Sequence, residues 1–304
     1  MRDQWLTFSA GIQQPLPLDD TPFQHRLHAE PLVRWVGSKR AMVKLLSSSI
    51  YRYLQTTHGR YIEPFLGGAA VALDLGLPNM LLSDLSEPLI NCYEWVRKNP
   101  RTVDMWLGVC RSKGTDKAAY LRQRAEVPAS KPKQAARFLY LNTVGFNGMW
   151  RVNSHGLMNV PHGHPASDTQ GYSFPSLEDI MNFSEALANT DLRCCHFSEM
   201  IKLAKSGDAL YADPPYFGVF TGYTEHGFSI QDQQQLSDML RDAAARGVAV
   251  LSTNSDAPEI REMYSWAYVT TTREARRVNS DVTKRGKVDC VLIASSSDLI
   301  SPED

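Results

Sequence analysis

The sequence lacks the marks of an exported, membrane-bound or metal-stapled chain. Its five cysteines (Cys92, Cys110, Cys194, Cys195 and Cys290) form no CxxC pair. An odd count without metal-ligand spacing fits reduced, intracellular thiols and gives no zinc signature. No apolar run approaches the roughly 18 residues of a spanning helix. The opening MRDQWLTFSAGIQQPLPLDD has neither the charged start nor the apolar stretch of a secretory signal. A soluble, cytoplasmic protein without a membrane partner is the starting expectation. GxGxxG is also missing, which counts against a nicotinamide oxidoreductase. Net charge is nearly absent: 32 Lys+Arg face 33 Asp+Glu, for a total of −1. That excludes a histone-like polyelectrolyte.

What is present is 304 residues, 43% of them hydrophobic. That is enough for roughly two domains, or one large domain with an insert. Residues 1–30 carry Gln, Pro and Asp without a sustained period and read as a loosely ordered extension. From Arg40 to Leu54 the apolar spacing predicts a helix. Tyr61–Phe65 reads as a strand entering a Gly-containing turn, Ala69–Leu77 as a helix and Met80–Asp84 as a second strand ending in an acid. Leu89–Val96 reads as a helix closed by Asn99-Pro100. This alternation predicts a parallel sheet with crossover helices. The texture returns with Leu177–Leu187 (helix), Leu192–Phe197 (strand-like), Ala209–Ala212 (strand), Gln231–Ala245 (helix), Val248–Ser252 (strand) and β-rich Val288–Ser295.

Between these halves the charge changes. Residues 97–165 hold 12 Lys/Arg against three Asp/Glu, a balance of +9, and the remainder holds 20 against 30, a balance of −10. We read 97–165 as an inserted, mostly helical subdomain with an anionic partner; a well-solvated helical face is the plainer alternative. The insert ends in LYLNTVGFNGMWRVNSHGLMNVPHG (139–163), where Gly145, Gly148, Gly156 and Gly163 punctuate β-like pieces consistent with a hairpin. Phe146, Asn147, Met149 and Arg151 there set apolar wedges beside an amide and a guanidinium. Arg is the commonest bidentate reader of guanine, and wedges can support a duplex whose base has been removed.

The chemistry points to the strand ends. Asp213-Pro214-Pro215-Tyr216 follows a buried strand directly, where α/β folds build their sites. The prolines stiffen the turn. One carboxylate, free carbonyls and an aromatic face in fixed relation suit a planar amine. Glu63-Pro64-Phe65-Leu66-Gly67-Gly68 follows another strand, and its glycines allow close approach to the backbone. Asp84 ends the next strand, where an acid binds ribose hydroxyls or caps a helix, a task Ser86 could also serve. Arg34-Trp35-Val36-Gly37-Ser38-Lys39 precedes the first helix and by itself reads equally as a Gly turn with Ser38 as cap.

Taken in order, RWVGSK, YIEPFLGGAAV, LLSDLSEPLINCY, GFNGMWRVNSHGLMNVPHG, DALYADPPY, LSTNSD and RRVNSDVTKRGKVD resemble the Dam-type DNA adenine-N6 methyltransferases (D12 class, alpha group) from about Pro31 to Ile293. The resemblance implies a Rossmann-like methyltransferase sheet with mixed strands. Residues 31–96 and 166–295 would form the S-adenosylmethionine-binding catalytic domain, 97–165 the target-recognition insert carrying the hairpin, and 296–304 a tail. It implies cofactor contacts at Trp35, Lys39, Glu63, Phe65, Gly67, Gly68, Asp84, Phe197 and Asp213. Asp213 and Pro214 would hold the target amine and Tyr216 would stack on a flipped adenine. Phe146 and Asn147 would enter the gap left by the base, and Met149, Arg151, Pro161 and Arg34 would read neighbouring bases. Double-stranded DNA is the implied partner, in a bacterial or phage-infected cell, with no metal and no obligate protein partner. GATC is the expected site. Departures at Arg34, Ser38, Thr143, Leu157 and Asp289 bear on the recognised sequence more than on the reaction. Competing readings are methylation of cytosine N4, of an RNA base or of a protein amide, and a DNA-binding relative that has lost activity.

Overall fold

A computed structural model describes residues 26–35, 37, 42–165, 171–218, 228–275 and 287–300, with backbone alone at 273–275 and 287–289. Seven strands form one sheet: β1 (Tyr61–Glu63), β2 (Leu81–Asp84), β3 (Asp191–Cys194), β4 (Ala209–Ala212), β5 (Ala249–Ser255), β6 (Tyr268–Ala275) and β7 (Lys287–Ala294). Their order is β3-β2-β1-β4-β5-β7-β6. The first five run parallel, and β7 lies antiparallel between β5 and β6.

Successive strand residues serve opposite faces. Tyr61, Leu82, Tyr211 and Leu251 join one apolar cluster, and Ile62, Leu81, Leu210 and Val250 join another. Burial on both faces makes each strand an unbroken apolar run, as expected of a covered parallel sheet. One face is covered by α1 (Val43–Thr57), α2 (Ala70–Leu75), α3 (Glu87–Lys98) and α7 (Leu177–Ala186). The other is covered by α8 (Phe197–Lys202), α9 (Ile230–Ala245) and α10 (Pro258–Met263). Arg26 and Leu27 close the end of α2, Arg26 through Nε to the Leu75 carbonyl (2.8 Å) and Leu27 through its N–H to the Gly76 carbonyl (3.1 Å).

The basic segment supplies α4 (Pro100–Ser112), α5 (Lys117–Ala125) and α6 (Lys131–Val144). Val103, Leu107, Tyr120 and Phe138 from these helices belong to the same apolar cluster as Tyr61 and Leu82, so this segment shares its core with the sheet. Leu139–Val144 is the end of a helix and not a β-like piece. All ten positions from Ala135 to Val144 are buried, which erases the 3.6-residue period that distinguishes helix from strand. The hairpin itself closes through two antiparallel bridges, Gly145 with His162 and Val152 with Met158. Likewise β3 stops at Cys194, and Phe197 opens α8 where the His196 side chain accepts from the Ser198 N–H.

Candidate active site

The chain leaves β1 toward β2 and β3, and leaves β4 toward β5, so the strand order reverses between β1 and β4. Open α/β sheets bind ligands outside the carboxyl ends of the strands at such a point. Glu63 ends β1 and Asp213 follows β4 there, with Ile62 in register with Leu210. Asp84 ends β2 alongside.

The turn after β1 is stitched to β2. Leu66 donates its N–H to the Ser83 carbonyl (2.8 Å), and Gly67 donates to Asp84 Oδ2 (2.9 Å). Asp84 Oδ1 accepts from the Ser86 N–H (2.9 Å), so its carboxylate is fixed by backbone on both sides. Burial raises the Asp84 pKa, and these backbone bonds oppose the rise. Tyr93 holds the Gly67 carbonyl from below (2.8 Å). Gly67 has φ +46°, and a Cβ there would lie 2.7 Å from Trp35 Cδ1. A Cβ on Gly68 would lie 3.3 Å from Trp35 Cβ. The glycines are what let the Trp35 indole lie over this turn.

Glu63 is 3% exposed and accepts from the Tyr61 hydroxyl (2.9 Å). Burial pushes its carboxyl well above the usual carboxylate range, the charges of Asp213 and Asp84 push it further, and the Tyr61 bond opposes them. An aromatic wall stands beside it: Phe65 stacks on Phe197 at 5.4 Å, and Phe228 closes the trio at 5.9 and 5.8 Å. The sequence reading missed Phe228. Its only signal was an apolar residue just before the Ser229–Asp232 capping box.

At the turn after β4, Asp213 Oδ1 accepts from the Thr253 hydroxyl (2.7 Å). Thr253 in turn accepts from the Tyr211 hydroxyl (3.2 Å), and both residues are buried. Pro214 is buried and Tyr216 half-buried. Of the turn's carbonyls, that of Pro215 is committed to Gln233 Nε2 (2.8 Å).

The segments that carry the expected base readers are tied together by hydrogen bonds and close packing. Asn142, itself 2% exposed, accepts from the Arg34 N–H (2.9 Å) and donates to the Arg34 carbonyl (2.9 Å) and the Gly148 carbonyl (2.7 Å). Gly148 packs so tightly on Arg34 that a Cβ would come within 2.3 Å of Arg34 Cβ. Phe146 donates its N–H to the Pro161 carbonyl (2.9 Å), and Asn147 sits exposed at φ +55°. Met149 is half-buried and packs on the core, while Arg151 is exposed with its Nε on Asn159 Oδ1 (2.8 Å). Because Trp35 follows Arg34, the segment that covers the glycine turn also grips the hairpin. Asn142 makes that link and was not singled out in the sequence, since its partner is 108 residues away. Lys39 and Ser38 lie outside the described residues, as do most of the RRVNSDVTKRGKVD stretch and the Asp289 side chain.

The family model of the D12 class N6 adenine-specific DNA methyltransferases matches residues 35–278. The chain belongs to that class. It is an S-adenosylmethionine-dependent DNA adenine methyltransferase on a Rossmann-like sheet, and the cytosine-N4, RNA-base and protein-amide readings give way to this one. Among its relatives, the Type II methyltransferase M1.LlaDCHI of Lactococcus lactis subsp. cremoris is 29% identical over 90% of this chain and 97% of its own. A DNA adenine methylase of Vibrio cholerae is 30% identical over 88% of this chain and 97% of its own. Among solved structures, the rRNA methyltransferase aviRa from Streptomyces viridochromogenes aligns over 94% of this chain and 96% of its own at 15% identity, with a TM-score of 0.32. Among the described residues of this methyltransferase, no helix is long and apolar enough to cross a membrane, and no group of three or more His, Cys, Asp or Glu is placed to hold a metal ion.

Proposed function

We propose that this methyltransferase extrudes an adenine from duplex DNA into the crevice between β1 and β4, methylates it there, and selects it within GATC. The observation that carries the reading is the pairing across the strand-order reversal: the Asp213 turn beside the Glu63–Gly68 turn. A base amine and a methyl donor would meet at that point.

The donor set fits the cofactor. Glu63 is raised first by burial and further by the charges of Asp213 and Asp84, so three carboxyls act on one another here. A ligand carrying an ammonium and a sulfonium relieves that repulsion. The two backbone bonds on Asp84 use part of its acceptor capacity and leave lone pairs for a ribose diol. Phe65 and Phe197 offer an aromatic wall to a nucleobase, and Trp35 over Gly67 and Gly68 bounds the methionine end. Once bound, S-adenosylmethionine supplies a methyl group already activated on sulfur.

The remaining work falls to the chain. Flipping the base costs a few kcal/mol. Phe146 and Asn147 fill the gap, while Arg34, Met149, Arg151 and Pro161 read the flanking bases. The exocyclic amine is a poor nucleophile because its lone pair is delocalised into the ring. Asp213 and the Pro214 carbonyl accept its two N–H bonds and draw that lone pair out, and Tyr216 stacks on the ring. The Thr253 hydroxyl fixes the Asp213 carboxylate for this task. Catalysis is then chiefly orientation, which supplies about 7–11 kcal/mol when geometry is good.

The test is transfer of labelled methyl groups from S-adenosylmethionine to adenine-unmethylated DNA, followed by long-read mapping of the product. N6-methyladenine confined to GATC is expected. Methylation at another sequence would overturn the GATC assignment alone. Absence of any N6-methyladenine would overturn the reading of the site and favour an inactive relative.

A further inference from the structure

The LSTNSD segment was noted in the sequence without a task, and it ends β5 directly behind the catalytic turn. Three consecutive residues reach that turn. Thr253 donates to Asp213, Asn254 Oδ1 accepts from the Phe217 N–H (3.0 Å), and the Ser255 hydroxyl donates to the Phe217 carbonyl (2.9 Å). From α9, Gln233 Nε2 donates to the Pro215 carbonyl (2.8 Å). Asn254 Nδ2 then donates to Gln233 Oε1 (2.9 Å), joining the two amides. Both are 0% exposed.

The arrangement has a torsional logic. Proline rings fix φ at residues 214 and 215. Between the Pro215 carbonyl and the Phe217 N–H the free torsions are φ and ψ of Tyr216. The amide pair grips the backbone on either side of that freedom, at the carbonyl before Tyr216 and the N–H after it. Buried amides are costly unless hydrogen-bonded. Here Gln233 and Asn254 are satisfied by the turn, by each other and by the Ser255 N–H (2.9 Å), so a displaced turn would strand Gln233 Nε2 and the Phe217 N–H. Apolar residues would fill the same space without that liability. Their presence is accounted for by the geometry they impose.

We propose that Gln233 and Asn254 are positioning residues that set Tyr216 against the target base and keep the Asp213 turn at the distance methyl transfer needs. This rests on the assignment of Asp213 and Tyr216 above.

The test compares wild type with Gln233→Met, Gln233→Glu and Asn254→Ala in single-turnover methyl transfer to unmethylated DNA, with S-adenosylmethionine affinity and thermal midpoint measured on the same preparations. Gln233→Met and Asn254→Ala are expected to slow transfer about 100-fold, the effect of a displacement near 1 Å. Cofactor affinity should stay within about threefold, because the cofactor residues other than Asp213 lie on other elements. Gln233→Glu should recover most of the rate, since burial favours the protonated carboxyl, which donates to Pro215 and accepts from Asn254. Transfer at the wild-type rate in folded variants would overturn the proposal. So would a loss that falls equally on cofactor affinity, or a Gln233→Glu variant no better than Gln233→Met. If Asn254→Ala fails to fold, the Met and Glu pair at 233 decides. Wild-type protein that methylates no DNA would instead overturn the reading of the site.

Discussion

In the turn after β4, buried side chains from β5 and α9 reach the backbone or carboxylate at Asp213, Pro215 and Phe217, whereas the hairpin from Gly145 to Gly163 is anchored near its base. There Tyr120 and Arg124 on α5 both donate to the Val160 carbonyl (2.9 and 2.7 Å), and Gly163 donates to Val144 (2.9 Å). Farther out, Asn153 takes the N–H groups of His155 and Leu157, and Leu157 is 53% exposed. The difference fits the task that the proposed function gives each region. Methyl transfer tolerates little displacement of the amine, so its turn is locked in three places. A reading surface has to meet a duplex, so it is held where it joins the core and left accessible beyond.

Removing the carboxylate that the locked turn presents is the largest perturbation. Asp213→Ala should cost about 1000-fold in single-turnover rate, the upper end for loss of a group that stabilises the reacting atoms. Folding and DNA binding should persist. A labelled-cofactor assay showing wild-type rate would sink the assignment.

Asn142→Leu tests the hairpin's tie to the rest. It leaves the Arg34 N–H and the Arg34 and Gly148 carbonyls without their partner, each worth about 1–3 kcal/mol where burial keeps water out. The expected result is a lower thermal midpoint together with weaker binding of both DNA and S-adenosylmethionine, because Arg34 and Trp35 move as one segment. Loss of DNA binding with cofactor affinity intact would show the two sites to be separable.

On the accessible side, Arg151→Ala should leave the thermal midpoint unchanged, since Arg151 is exposed. If it reads a base bidentately, discrimination at that position should fall by about 1–3 kcal/mol. Methylation mapping would show one position of the site relaxed. Uniform loss across all sequences would make Arg151 a phosphate contact instead.

How much of this was legible in the sequence depends on whether a feature is local. β1, β2, β4 and β5 were readable because burial on both faces makes continuous apolar runs. β6 (YVTTTREA) was passed over, because its alternating threonines offer little apolar contrast, and α10 has six residues, too few to show a period. Asp84 and Asp213 were visible as acids ending apolar runs. Gln233, Asn254, Thr253 and Asn142 were not, since each acts on backbone or carboxylate brought close only by the fold. The charge balance of the insert was legible, but its use was not. Arg97, Arg124 and Arg137 donate to the carbonyls of Thr190, Val160 and Gln123, so they are structural donors within the +9.

Glu63, beside the locked turn, gives a smaller change. Burial first, then the charges of Asp213 and Asp84, raise the Glu63 carboxyl well above its ordinary pKa, against the Tyr61 bond. The folded chain therefore keeps a proton that the unfolded chain releases near the ordinary Glu value of about 4.3. Stability falls as pH rises from that value toward the raised folded one. Glutamine releases no proton and still offers Tyr61 an acceptor, so Glu63→Gln should flatten this pH dependence and raise the thermal midpoint at neutral pH. A cationic ligand favours the ionised carboxylate, so the same substitution should weaken S-adenosylmethionine by about tenfold, one pKa unit of coupling. Wild-type affinity should rise with pH across this window, and the variant's should not. Calorimetric titration at several pH values, set beside thermal melts, checks both halves. A variant that gained stability without losing affinity would show that the crowded carboxyls serve something other than the cofactor's charge.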